Sequence, residues 1–250
     1  MEKIKKVFTE DRLEIIIAIF LGITALLTAW ASWISGLHGG NQATNYTTSN
    51  NLSATGNSMY NEAEQQFMQD SLLWNDISDL QIEYQYEIDC ENYDAAELAA
   101  YKLYYKCYDN LQYSAMCDEI GWDYDLAYEY SEDPIRYIEI WLEQDEAMIS
   151  PLYDENFVDS YFEEADEVLE EAEEVLAQGK QDNAYGDAYN LVTVVYSLVL
   201  FILGIVGIFK RLPNRYILAL IAIATFFLAT IYMIMIPLPT GFSLSSFFIS

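Results

Sequence analysis

Catalysis needs nucleophiles, acid–base groups or metal ligands at workable spacing, and this sequence offers few. It has one histidine, His38, three cysteines, Cys90, Cys107 and Cys117, and 40 acidic residues against 11 basic ones. One histidine rules out a zinc site built on the usual His ligands. A His-based triad would have to use His38, which sits beside Gly39 and Gly40 at the end of an apolar run, and no catalytic role is expected of it. The chain has no glycine-rich phosphate loop, nucleophile elbow or Cys-x-x-Cys pair. Paired carboxylates occur so often that they cannot mark glycosidase chemistry. The expectation is a protein that is not an enzyme and carries no organic cofactor.

Calcium is the one ligand worth weighing. Asp118, Glu119, Asp123 and Asp125 flank Gly121-Trp122, and Asp89, Glu91 and Asp94 form a second cluster. Oxygen-rich clusters suit hard cations, but neither matches EF-hand spacing. Acids this dense cluster by chance, so a solvated surface explains them equally well.

The elements that hold these residues follow from where charge and apolarity fall. Net charge is −29, yet 53% of residues are hydrophobic. Residues 38–189 hold 36 acids and four bases, while residues 1–14 are neutral and 210–215 carry three bases. Such segregation argues against nucleic-acid binding, which needs a basic face. Three stretches lack ionisable residues: Ile15–Leu37, Leu191–Phe209 and Tyr216–Ile236. Their 23, 19 and 21 residues would reach about 34, 28 and 32 Å as helices, enough to cross a hydrocarbon core of ~30 Å. The first could be a cleaved signal peptide ending at Ala29-Trp30-Ala31. Its apolar run continues to Leu37, so a retained anchor is expected.

The expected organisation is a cytoplasmic N-terminus (1–14), a first membrane helix (15–37), a polar connector or helix extension (38–57) and an acidic helical ectodomain (58–190). A second membrane helix (191–209), a cytoplasmic turn (210–215), a third membrane helix (216–236) and an extracytoplasmic tail (237–250) follow. Lys3, Lys5, Lys6 and Arg12, with Lys210, Arg211 and Arg215, set that orientation in a cell (plasma) membrane, and Trp30 and Trp33 suit an interfacial belt. The cysteines then lie where oxidation is possible, as at most one bridge or as buried small apolar side chains. Asn45-Tyr46-Thr47 and Asn51-Leu52-Ser53 are acceptor sequons on the same side.

The acidic block reads as a helical bundle with a Tyr- and Trp-rich core. Asp133-Pro134 marks one helix start. A second helix, from about Asp159 or Ser160, carries an apolar stripe from Phe162 to Leu176 and should end at Gly179. Further helices are expected from about Ser58 to Ile88 and from Ala95 to about Met116.

A last pattern concerns association. In the first apolar segment Ala18, Gly22, Ala25, Ala29, Ser32 and Gly36 recur at heptad spacing, and the rhythm continues through Gly39 and Ala43. Small residues in register let helices approach closely in lipid. The seam could face identical neighbours or the chain's own second and third membrane helices. Thr24, Thr28, Ser32 and Ser35 are the hydroxyls on offer to line a pore, or to make interhelical hydrogen bonds.

The run from Ala29-Trp30-Ala31-Ser32 through Gly39, Asn41-Gln42-Ala43-Thr44-Asn45-Tyr46, Ser49-Asn50, Gly56-Asn57-Ser58 and Tyr60-Asn61 resembles a family of uncharacterised prokaryotic membrane proteins. The resemblance implies one anchor, a polar helix, a variable acidic region and a closing two-helix hairpin, and lends no activity. The sequence therefore predicts an all-α integral membrane protein with three transmembrane helices and a helical acidic ectodomain. It is expected to form homo-oligomers in the lipid bilayer, as a cation-attracting channel around the first helix. The alternative is a non-catalytic envelope scaffold or accessory subunit whose acidic domain binds a basic protein partner or divalent cations.

Overall fold

The computed structural model describes residues 10–209 and 214–243. Lys3, Lys5, Lys6, Lys210 and Arg211, invoked above for orientation, lie outside them, as do 244–250 of the expected tail. The protein is all-α, and no strand occurs among the described residues. Helix α1 spans Glu10–Asp89 and α2 spans Tyr93–Asn110. Four shorter helices follow: α3 (Met116–Glu119), α4 (Tyr124–Glu129), α5 (Pro134–Leu142) and α6 (Glu155–Ser160). Two long helices close the chain, α7 (Glu163–Ile208) and α8 (Arg215–Met235). Three of these, α1, α7 and α8, are long and apolar enough to cross a membrane.

The chain divides into two compact units, one of Met1–Asn51 with Glu171–Ser250 and one of Leu52–Glu170. The first unit is a three-helix packing. Leu13, Ile17, Ala31 and Ile34 of α1 meet Tyr189, Val192, Tyr196, Val199, Leu203 and Val206 of α7 and Ala219, Ala222, Phe226 and Ala229 of α8. Fewer than a third of the residues in each helix's most apolar window are buried. Leu26, Phe201, Leu220, Leu228 and Ile234 are among many large apolar side chains left exposed. Exposed apolar surface of this extent needs lipid or protein against it.

One open alternative is decided and one boundary differs from the sequence reading. Residues 38–57 are the helix extension and not the connector, because α1 runs through them without a break. Gly179 does not end its helix, since α7 passes straight through it. A Cβ at Gly179 would lie 2.6 Å from the Tyr46 ring, so this glycine serves close helix approach rather than a cap. Ser49 Oγ donates to the Ala172 carbonyl at 2.7 Å, a second contact between the same two helices. These contacts place 171–190 with the membrane-helix unit, where 58–190 was expected as one ectodomain.

The second unit has the aromatic core its composition predicts. Trp74, Ile77, Tyr104, Trp122, Tyr137 and Trp141 are buried together. Buried Tyr and Trp need partners for their polar ends. Trp141 Nε1 donates to the Ile120 carbonyl at 2.8 Å and Tyr104 Oη to the Ala127 carbonyl at 2.7 Å. Asp133 caps α5 by accepting from Arg136 N, with Pro134 at the first helical position, as the sequence indicates. Helix α2 stops at Asn110, short of Met116, and turns through a 3-10 segment, Leu111–Tyr113.

Gly121 has φ +64°, and a Cβ there would lie 2.5 Å from Gln144 Oε1. Gly121→Ala should therefore cost about 1–2 kcal/mol, read as a lower urea midpoint with unchanged helicity.

Tyr161 Oη donates to Asp70 Oδ2 at 2.6 Å, and Asp70 is buried. Burial, then the Asp70 hydrogen bond, pushes Tyr161 far above the ordinary tyrosine range. Burial does the same to Tyr124 and Tyr137. A raised folded-state pKa stabilises fully below the unfolded value of about 10, and the contribution fades as pH climbs beyond it. Near-UV circular dichroism should show the second unit losing stability from about pH 10 upward. Tyr161→Phe should lower stability at pH 7 by about 1–3 kcal/mol, by orphaning the buried carboxylate.

Candidate functional site

The chain's one histidine lies inside the first unit. Its side chain is 1% exposed. Helical spacing puts Ile34, Ser35, His38, Asn45 and Ser49 on the α1 face that meets α7, and Asp182 lies on the facing side of α7. His38 Nδ1 and Asp182 Oδ1 are 2.8 Å apart. Asn45 Nδ2 donates to the other carboxylate oxygen, Asp182 Oδ2, at 3.2 Å. His38 Nε2 lies 3.2 Å from the Pro237 carbonyl, just past α8. The Tyr189 ring stacks on the imidazole with centroids 5.9 Å apart, and Tyr185 tilts against it at 5.6 Å. Gly186 lies at this crossing, where a Cβ would make ordinary contact with His38 Cβ at 3.5 Å.

Ser35, His38 and Asp182 have the composition of a hydrolase triad but not its wiring. Ser35 Oγ donates to the Gly186 carbonyl at 2.9 Å, and both imidazole nitrogens face other acceptors. A general base needs a free nitrogen within reach of its nucleophile, and none is offered. The arrangement can hold a proton and tie three chain segments together.

Sequence reasoning set His38 aside and did not single out Asp182. The available signal was weak: a lone His at an apolar boundary, and an Asp nine residues before the second apolar stretch. The Asn45 amide is engaged by Asp182, so this sequon does not present a free nitrogen, whereas Asn51 is exposed.

The calcium candidates are placed locally. Asp118 and Glu119 lie on α3, and Asp125 sits in the first turn of α4. Asp123 Oδ1 is occupied as the α4 cap, accepting from Asp125 N and Leu126 N. Among the described residues, no three or more His, Cys, Asp or Glu side chains are arranged to hold a metal. Cys107 is buried, Cys117 half-buried and Cys90 exposed, and all three are free thiols. Burial drives the Cys107 thiol well above its usual range.

The seam has a definite address. Ala18, Gly22, Ala25, Ala29, Ser32 and Gly36 are all exposed, as are Gly39 and Ala43. Cβ atoms built on Gly22, Gly36, Gly39 and Gly40 meet nothing within 4 Å. The reading in which the seam packs on the chain's own second and third membrane helices is thus overturned. Those helices meet the opposite face, through Ile17, Thr24, Ala31 and His38, because bulkier side chains there fill the three-helix core. The hydroxyls divide likewise. Thr24 and Ser35 are buried, Thr28 donates to the Thr24 carbonyl, and only Ser32 lies on the exposed seam.

Compared with known protein families, curated proteins and solved structures, the chain has no match.

Proposed function

We propose that the protein is a homo-oligomeric, non-catalytic membrane scaffold. Its α1 helices associate through the small-residue seam, and its acidic domain gathers basic protein segments and divalent cations. The observation that carries this reading is the unfilled α1 face, which runs from Ala18 to Ala43 opposite the face used within the chain. Close helix approach in lipid needs such a face on both partners. The proposed topology follows the positive-inside rule: Arg12 and Arg215 mark the cytoplasmic side of the plasma membrane, and the acidic domain faces outward.

The charge of the second unit supports the partner class. Residues 52–170 carry 31 acids and three bases. Each of those bases already pairs with an acid: Lys102 with Glu83, Lys106 with Asp76 and Arg136 with Glu139. The remaining negative field attracts cations and repels anions. Calcium would bind diffusely to this field, among other divalent ions.

A cation pore around α1 is the competing reading. With Ser32 as the seam's one hydroxyl, a pore there would lack the polar lining that conduction requires. The test uses full-length protein in nanodiscs and planar bilayers. A defined oligomer, together with salt-sensitive capture of a polylysine probe and no current, supports the scaffold. A steady cation-selective current would reverse the choice, and a strictly monomeric protein would remove the seam from the argument.

A further inference from the structure

We propose that His38 is a proton-binding site, held as the imidazolium, and that the protonated ring staples the segment after α8 to α1 and α7. The argument rests on donors and acceptors. Nδ1 faces the Asp182 carboxylate at 2.8 Å and Nε2 faces the Pro237 carbonyl at 3.2 Å. As the carboxylate, Asp182 has no hydrogen to give, and the Pro237 carbonyl never has one. A neutral imidazole has one N–H and can satisfy one of them, whereas the imidazolium satisfies both. At 1% exposure water does not stand in for the missing bond. The carboxylate opposite supplies the counter-charge, and Asn45 holds it in place from its far oxygen.

No other charged group faces the ring. From α7 it meets Asp182 and the two tyrosines, Tyr185 and Tyr189, while Lys180 and Asp187 are exposed on that helix. Residues 236–243 contain no titratable side chain, and at this end of α8 the one titratable side chain, Tyr232, is exposed. On α1 the turns around His38 hold no acid or base.

Losing that proton removes one of the two bonds. Other ties of the 236–243 segment include Tyr189 Oη to the Ile236 carbonyl, Asn41 Nδ2 to Thr240, and Phe242 against Trp30 and Trp33. Those ties do not reach the Pro237 carbonyl. The staple is closed while the ring holds its proton and loses one of its two bonds without it.

A single histidine makes the test clean. Full-length protein labelled with 15N-histidine, in nanodiscs at pH 7, should show both ring nitrogens protonated. Asp182→Asn should leave one of them bare. One bare nitrogen in the unsubstituted protein at pH 7 would overturn the proposal. Hydrogen exchange across 238–243 reads the staple itself. After correction for intrinsic rates, exchange should quicken about tenfold as the ring loses its proton, and His38→Phe should show no such step. Identical pH profiles in the two proteins would overturn the staple.

Discussion

Asp182→Ala should destabilise the membrane-helix unit by about 3 kcal/mol, measured by reversible denaturant unfolding in mixed micelles. The size of this effect depends on what is left behind. A neutral hydrogen bond between helices in a bilayer is worth only ~0.6 kcal/mol on average. Removing one partner of a buried pair costs several times more, because His38 then gives up its proton and one of its two bonds, and Asn45 loses its acceptor. His38 is fully enclosed between α1 and α7, so the larger figure applies. Asp182→Asn keeps an oxygen acceptor and should cost less than alanine. A double replacement, His38→Phe with Asp182→Leu, removes both polar groups and should recover most of the loss. Were Asp182→Ala to cost no more than a few tenths of a kcal/mol, the pair would be a neutral contact and the imidazolium assignment would fail with it.

The second large effect concerns association. Gly22→Leu combined with Gly36→Leu should leave the folded protomer intact and weaken the proposed seam-to-seam association at least ~tenfold, or ~1.4 kcal/mol. In the protomer neither position meets anything within 4 Å, so an added side chain has open space. Leucine is also the better helix former, so α1 should lose no stability. Between two copies the same bulk would hold the helices apart. Molar mass in detergent, by light scattering over a dilution series, reads the result. A contrast comes from Gly179→Leu, which drives a side chain into the Tyr46 ring and should damage the protomer itself. If the Gly22 and Gly36 substitutions left the molar mass unchanged, the oligomer would have to use another face.

Much of this architecture is legible in the chain. Hydropathy locates the three membrane-length helices, because a helix in lipid must present apolar side chains over its whole length. The Asp133-Pro134 cap and the aromatic core of the second unit are equally readable. What misled was glycine. Gly179 in a polar stretch reads as a helix end, and 38–57, with its Gly, Asn, Thr and Ser, reads as a connector or as a helix extension. Both are helical because two long helices support one another there, Tyr46 filling the space that Gly179 leaves open. Tertiary packing overrides propensity when it supplies contacts that the isolated segment lacks.

The sequence by itself determined the fold class, the number of membrane-length helices and the negative charge of the intervening domain, since each follows from residue type and period along one chain. It also marked the small-residue seam, as a spacing without a direction. Only the tertiary structure decided which way the seam faces, because that depends on which side of α1 the α7 and α8 helices occupy. Only the tertiary structure, likewise, joined His38 to Asp182, 144 residues apart. No period or local motif links two residues at that separation, and the pair exists because α1 and α7 cross there.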